Sequence, residues 1–114
     1  MINREFDLII FGASGFTGQI AVKYLDKNYQ DINWAISGRN YKKLKNISES
    51  TIKKPEVFVA DSKDIESLEK IVKKTNVIAS LAGPFSKYSN NLVDQCFRHG
   101  THYVDITGEN LWVR

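Results

Sequence analysis

Gly12-Ala13-Ser14-Gly15-Phe16-Thr17-Gly18 is the stretch on which the reading of this chain turns. Immediately before it, Asp7-Leu8-Ile9-Ile10-Phe11 is a short apolar run of the kind that forms a buried strand. Immediately after it, Phe16, Ile20, Ala21, Tyr24 and Leu25 recur at helical spacing, which predicts a helix with these residues on its apolar face. The glycines then make the turn of a dinucleotide-binding βαβ unit. With no Cβ, Gly12 can take the tight turn, Gly15 lets backbone N–H groups approach a pyrophosphate, and Gly18 lets helix and strand pack closely. The free amides of the helix's first turn and its dipole would meet the phosphate charge, which makes all of residues 12–18, including Ala13, Ser14, Phe16 and Thr17, candidate cofactor-binding residues.

Other Gly-rich phosphate and acyl-transfer motifs are excluded. Gln19 follows Gly18 where a P-loop needs a Lys-Ser/Thr pair, and Ser14 lies in G-x-S-G rather than the G-x-S-x-G of a nucleophile elbow. With 114 residues, the chain reads as one domain that buries about 60–70% of its unfolded surface. The hydrophobic share of 42%, the charged share of 25% and the net charge of +3 are those of an ordinary globular protein. No basic motif interleaved with aromatics points to nucleic acid, and no apolar run approaches the length of a signal peptide or membrane span. The single cysteine, Cys96, suits a reducing compartment, so a cytoplasmic location is expected.

Along the chain, Trp34-Ala35-Ile36-Ser37 reads as the second strand, ending at Gly38-Arg39-Asn40. In a dinucleotide fold this tip faces the adenosine ribose. An acidic residue there selects NAD, whereas an Arg accommodates the 2′-phosphate of NADP. Arg39 is present with Lys42 and Lys43 nearby and no carboxylate, so Ser37, Gly38 and Arg39 predict NADP, with NAD as the lesser alternative. A helix is expected over 41–52 with Leu44 and Ile47 inward. Its Tyr41-x-x-x-Lys45 matches the catalytic pair of short-chain dehydrogenases but falls on the adenosine side, and reads as chance.

Val57-Phe58-Val59-Ala60 is the third strand, and Asp61 and Ser62 are the expected caps of a helix with Ile65, Leu68, Ile71 and Val72 on one face. Asp61 is also a candidate for the adenine amino group. Val77-Ile78-Ala79-Ser80-Leu81 is the fourth strand. It ends in Ala82-Gly83-Pro84-Phe85, where strand order reverses and a nicotinamide would sit, with Phe85 as an apolar wall. A helix over 90–99 with Leu92, Val93, Cys96 and Phe97 inward and Gly100 as C-cap leads to a fifth strand over 102–106. Cys96, His99 and His102 have a metal-like spacing, but Gly100 breaks the helix between the histidines, so no metal site is expected. The alternation predicts an α/β fold, a doubly wound parallel sheet in the order 3-2-1-4-5 with helices on both faces.

With these residues in view, the chain resembles the N-terminal NAD(P)-binding domain of the saccharopine dehydrogenase-like oxidoreductases. The resemblance is carried by residues 12–18, by Ser37-Gly38-Arg39, and by Ala82-Gly83-Pro84-Phe85 with Tyr88. The most family-specific run is Gly100-Thr101-His102-Tyr103-Val104-Asp105-Ile106-Thr107-Gly108-Glu109. It implies a nicotinamide-dependent oxidoreductase in which this domain carries NADP and a downstream domain, absent here, binds substrate. By the same likeness Tyr88 is a substrate-side candidate, and no catalytic residue falls within the chain. The glycine loop differs from that of saccharopine dehydrogenases proper. It is closer to a branch that also resembles enoyl reductases acting on lipid-like substrates, although Ser89 stands where such relatives often carry Gly. The competing reading is a non-catalytic NAD(P)-sensing module of the NmrA type. An uncovered fifth strand, with Val104 and Ile106 on one side, predicts self-association of two copies along that edge.

Overall fold

The computed structural model describes residues 4–29, 31–81 and 89–105. Strands and helices alternate as β1 (Phe6–Phe11), α1 (Phe16–Asn28), β2 (Trp34–Gly38), α2 (Tyr41–Glu49), β3 (Val57–Val59), α3 (Ile65–Val72), β4 (Thr75–Ser80), α4 (Ser89–His99) and β5 (His102–Asp105). All strand pairs are parallel and the sheet runs β3-β2-β1-β4-β5, the doubly wound order expected from the alternation. Strand alternation sends Ile9, Phe11, Ala35 and Ile78 to one face, where they pack with Leu68, Ile71 and Val72 of α3 and Leu92 and Cys96 of α4. Ile10, Trp34 and Ile36 point to the other face and pack with Val22 of α1 and Leu44 of α2. The central strands are therefore apolar on both sides, as their sequence implied.

All four helices differ from expectation in one respect. On α1 the inward row is Gly18 and Val22, with Ala21 and Leu25 half-buried, while Ile20 and Tyr24 are exposed and Phe16 is 81% exposed. A Cβ on Gly18 would stand 2.7 Å from the Ala13 Cα, so this glycine brings the helix against the turn and fixes its rotation. Phe16, Ile20 and Tyr24 are thereby sent to the opposite side. Helix α2 stops at Glu49 rather than continuing to 52. The Asp26 carboxylate on α1 takes the amides of Ile52 (2.9 Å) and Lys53 (3.0 Å), and the Thr51 hydroxyl takes that of Lys54 (2.8 Å). These bonds compete with helix continuation.

Helix α3 is capped by Asp64, whose carboxylate accepts the Ser67 amide at 3.4 Å, not by Asp61 or Ser62. Asp61 instead accepts the Lys63 amide at 3.0 Å and closes a turn one step earlier, leaving Ile65 half-exposed. On α4, Leu92, Gln95 and Cys96 face inward, whereas Val93 is partly exposed and Phe97 is 85% exposed. The helix ends as expected at Gly100: the Thr101 amide donates to the Cys96 carbonyl (2.8 Å) and the Gly100 amide to that of Phe97 (3.4 Å). Strand β4 begins two residues early because Thr75 and Asn76 continue the pairing, with Thr75 opposite Phe6. Below it, the Arg4 guanidinium donates to the carbonyls of Val72, Thr75 and His99 and to the Thr101 hydroxyl, tying the C-termini of α3 and α4 together.

Two outcomes follow from this packing. Gly18→Ala is expected to destabilise the fold by about 1–3 kcal/mol, because the added methyl meets main chain rather than a movable side chain; thermal denaturation followed by circular dichroism measures it. Burial pushes the Cys96 thiol up to about 12, so the folded chain holds this proton more tightly than the unfolded one, and its preference for folding is lost as pH rises from 9.0 toward that value. At pH 8 the native thiol should react with an aromatic disulfide reagent roughly 1,000-fold more slowly than in denaturant, as its smaller thiolate fraction requires.

Candidate dinucleotide site

The site begins where β1 ends. Phe11 lies opposite Ser37 on one side and Ser80 on the other, so β1, β2 and β4 finish at one level. Gly12 turns away with φ 83°, a conformation that a side chain would strain. The amides of Gly12 (2.9 Å) and Ala13 (3.1 Å) both donate to the Ser37 carbonyl, which fastens the turn to the tip of β2. Ser37 is fully buried, so it serves the site through this carbonyl; its hydroxyl has no partner among the described residues.

Helix α1 starts at Gly15 with no side-chain cap and no acidic residue in its first turn, whereas Asn40 caps α2 and Asp64 caps α3. Its first bond runs from the Gln19 amide to the Gly15 carbonyl (3.0 Å), and the amides of Phe16, Thr17 and Gly18 find no acceptor among the described residues. Gly15 is exposed, its φ of −75° suits any residue, and a Cβ there would make only an ordinary 3.6 Å contact with the Gly12 carbonyl. The protein's own packing therefore does not require a glycine at 15. Its bare backbone opens onto solvent beside three unpaired N–H donors, an arrangement that fits a pyrophosphate.

The tip of β2 adds charge. At Gly38 a Cβ would make only ordinary contacts, with the Leu44 side chain at 3.4 Å and the Ser14 hydroxyl at 3.5 Å, so Ser14 stands beside the strand end. A cavity of about 480 Å³ opens there, lined by Ser14, Arg39, Asn40, Tyr41 and Lys43. Among the described residues no carboxylate lines it. Neither the Arg39 guanidinium nor the Lys43 ammonium has an ion-pair partner among the described residues. Asn40 accepts the Lys43 amide at 3.1 Å, so α2 also points its N-terminus here. Lys42, grouped with Arg39 in the sequence, does not line the cavity, whereas Asn40, named only as the end of the strand tip, and Tyr41, whose spacing to Lys45 was set aside as chance, both do. An Asn directly before a helical run was the available signal for the first.

Asp61 follows Ala60, whose amide donates to the Gly38 carbonyl (2.9 Å), so the turn after β3 lies beside the β2 tip. One Asp61 oxygen is engaged by the Lys63 amide, and the Asn91 side chain braces this turn by donating to the Ser62 carbonyl at 2.8 Å. Leu81 donates its amide to the Phe11 carbonyl (2.9 Å) and so carries β4 up to the glycine turn. The residues that follow it, Ala82, Gly83, Pro84 and Phe85, lie outside the described residues, as do Tyr88 and Ile106. Of the metal-like triad, Cys96 is buried, and His99 faces Glu69 with Nε2 at 3.1 Å from a carboxylate oxygen. His102 lies beyond the helix break on β5, and the described residues hold no cluster of three or more His, Cys, Asp or Glu.

Comparison with known proteins gives a consistent result. Residues 8–114 match the family described as saccharopine dehydrogenase NADP binding domain. A lipid droplet localized protein of Caenorhabditis elegans is 36% identical over 118 residues, covering 96% of this chain and 28% of its own. A trans-acting enoyl reductase of Mycobacterium leprae is 32% identical over 114 residues, covering 97% and 27%. The chain thus spans little more than a quarter of the curated relatives it matches. Among solved structures, the apo saccharopine dehydrogenase (L-Glu forming) of Saccharomyces cerevisiae superposes with a TM-score of 0.74 at 23% identity, over 88% of this chain and 21% of that one. The triphenylmethane reductase of a Citrobacter species, complexed with NADP(H), gives 0.75 at 21% identity, over 87% and 36%. A five-stranded parallel sheet, an uncapped glycine turn and 107 matched residues of 114 agree, and the chain belongs to the saccharopine dehydrogenase NADP-binding domain family.

Proposed function

We propose that this chain holds NADP(H) for a hydride-transferring oxidoreductase, and that its cationic cavity at the tip of β2 takes the 2′-phosphate. The observation that carries this reading is that cavity: Arg39 and Lys43 without carboxylate neighbours, directly beside the glycine turn. In this reading the amides of Phe16, Thr17 and Gly18 bind the pyrophosphate across the open backbone of Gly15, with Gly12 and Ala13 holding the turn in place. Arg39 and Lys43 hold the 2′-phosphate with Ser14. The Asp61 turn borders the adenine. Ala82, Gly83, Pro84 and Phe85 are assigned to the nicotinamide end and Tyr88 to the substrate side, on the sequence and family likeness alone. When bound, the nicotinamide donates or accepts hydride; the residues described here orient it and contribute no acid, base or nucleophile to the reaction.

The substrate would be bound by residues beyond these 114, in a longer protein for which this domain alone does not suffice for turnover. The enoyl reductase names of the mycobacterial relatives support a reducible C=C in an acyl substrate. The free Cys96 thiol supports a cytoplasmic setting. Among the described residues no helix is long and apolar enough to cross a membrane. The outer edge of β5, with Val104 46% exposed, supports pairing of two copies there.

Titration calorimetry should show NADPH binding more tightly than NADH. Arg39→Ala should erase most of that preference, about tenfold to a hundredfold, the worth of one charge-assisted hydrogen bond. Gly15→Leu should weaken both dinucleotides alike while costing the fold less than Gly18→Ala does, since a Cβ at 15 meets the main chain only at an ordinary 3.6 Å. Equal affinities in the parent, or a Gly15→Leu chain that still binds normally, would remove these assignments.

A further inference from the structure

Helix α1 is apolar on two sides. Its inward row, Gly18 and Val22, is spent on the core, yet Phe16, Ile20 and Tyr24 recur at every fourth position outside, 81%, 53% and 57% exposed. Tyr24 rests against Tyr29 with ring centroids 5.8 Å apart, which carries the row past the end of the helix. A helix that faces only water is polar on its outer side, and a contiguous apolar row there marks a contact surface. The outer sides of α2 and α3 are polar, with Lys42, Lys45 and Glu49 on one and Glu66 and Lys70 on the other. On α4 the exposed Val93 and Phe97 run beside the Asp94–Arg98 ion pair, so that surface is mixed.

The sheet next to α1 is bare on the same side. Right-handed crossovers put α1 and α2 on one face, over β1, β2 and β3, and α3 and α4 on the other. Over β4 and β5 only the second face is covered, where Ile78 and Tyr103 pack with α3 and α4. Strand alternation turns Val77 and Val104 to the α1 side; Val77 is half-buried there, Val104 is 46% exposed, and neither joins the apolar layer under α1 and α2. Asp26 marks the flank of α1 that faces α2, because its carboxylate takes the Ile52 and Lys53 amides just past that helix. At about 100° per residue, the half-buried Ala21 and Leu25 stand on the opposite flank and border the bare strands. An apolar step results, with Val77 and Val104 as its floor, Ala21 and Leu25 as its riser, and Ile20 and Tyr24 along its upper lip.

We propose that this step seats an apolar helix from the substrate-binding part of the longer protein that carries this domain; the inference rests on the longer protein proposed as its setting. Length favours this occupant over a second copy, since the chain spans 28% and 27% of two curated relatives. Position favours it too. The row begins at Phe16, whose amide is a pyrophosphate donor in the proposed site, so an element seated there borders the cofactor. A helix joining β5 to a further parallel strand outside it would fall on the α3 and α4 face, because such crossovers are right-handed. The occupant therefore lies outside the strand–helix alternation and returns to the sheet from the remaining chain.

The test needs no cofactor, so its result stands apart from whether the β2 tip holds a 2′-phosphate. In the longer protein, p-benzoylphenylalanine in place of Ile20 or Tyr24 should cross-link on irradiation, within one molecule, to residues beyond Arg114. In place of Lys70, on the polar side of α3, it should not; peptide mass spectrometry locates each link. Ile20→Lys combined with Tyr24→Lys should shift the melting of the 114-residue chain by no more than about 3 °C, as surface substitutions do. In the longer protein the same pair should speed proteolytic release of the domain about tenfold or more, since charges set in an apolar seat weaken the docking. Three results would overturn the proposal: links from Ile20 and Tyr24 only to separate molecules, links no stronger than those from Lys70, or equal melting losses in the chain and the longer protein. The first gives the step to a second copy, the second leaves it to water, and the third makes the row part of the domain's own core.

Discussion

One oxygen atom holds the nucleotide end of this domain together. The Ser37 carbonyl accepts the amides of both Gly12 and Ala13, at 2.9 and 3.1 Å, and so joins the turn after β1 to the end of β2. The geometry needs parallel pairing that sets Phe11 opposite Ser37, and it needs Gly12 in the left-handed region to bring two successive amides round to one acceptor. Once the turn is fastened there, the Ser14 hydroxyl stands beside Gly38. The glycine turn and the cationic tip of β2, separated by two dozen residues of chain, thus become two walls of one region.

The same turn decides how α1 lies. Gly18 comes within contact of the Ala13 backbone, closer than any side chain would permit, and this approach sets the rotation of the whole helix. Val22, one turn on, is carried into the core, and Leu25 follows it to a half-buried position. The ends of the helices are treated differently according to what they face. Asn40 and Asp64 satisfy the first amides of α2 and α3 internally, while those of Phe16, Thr17 and Gly18 are left unpaired among the described residues. An unpaired helix start with no nearby carboxylate keeps its positive potential available to a phosphate group.

Much of the fold was legible because the central strands are short apolar runs bounded by glycine, proline or polar residues, and a doubly wound sheet follows from their alternation with helices. Element ends were less legible. The end of α2 depends on Asp26, which lies on a different helix and captures the amides of Ile52 and Lys53. The start of α3 depends on which of Asp61 and Asp64 closes its own turn and which caps the helix, a choice that residue type alone does not make. In the site, Arg39 was legible because its position after β2 carries a charge requirement. Tyr41 was not, since its spacing to Lys45 suggested only a misplaced catalytic pair, and the cavity that it lines is a tertiary feature. Ser37 was expected as a contact residue, yet it is fully buried and acts on the site through its main chain.

By itself the sequence determined the parallel α/β architecture, the place of the glycine turn and the sign of the charge at the β2 tip. These are properties of residue type and local order: apolar periodicity, missing Cβ atoms, and an arginine without an acid beside it. Tertiary structure alone decided which face of α1 and α4 is buried. On α1 the row Phe16, Ile20 and Tyr24 has the more hydrophobic pattern, yet it is exposed, and Phe97 on α4 is exposed although Gln95 is buried. Hydrophobic periodicity identifies a helix and offers a face, but close backbone contact at Gly18 costs more to undo than exposing a few apolar side chains.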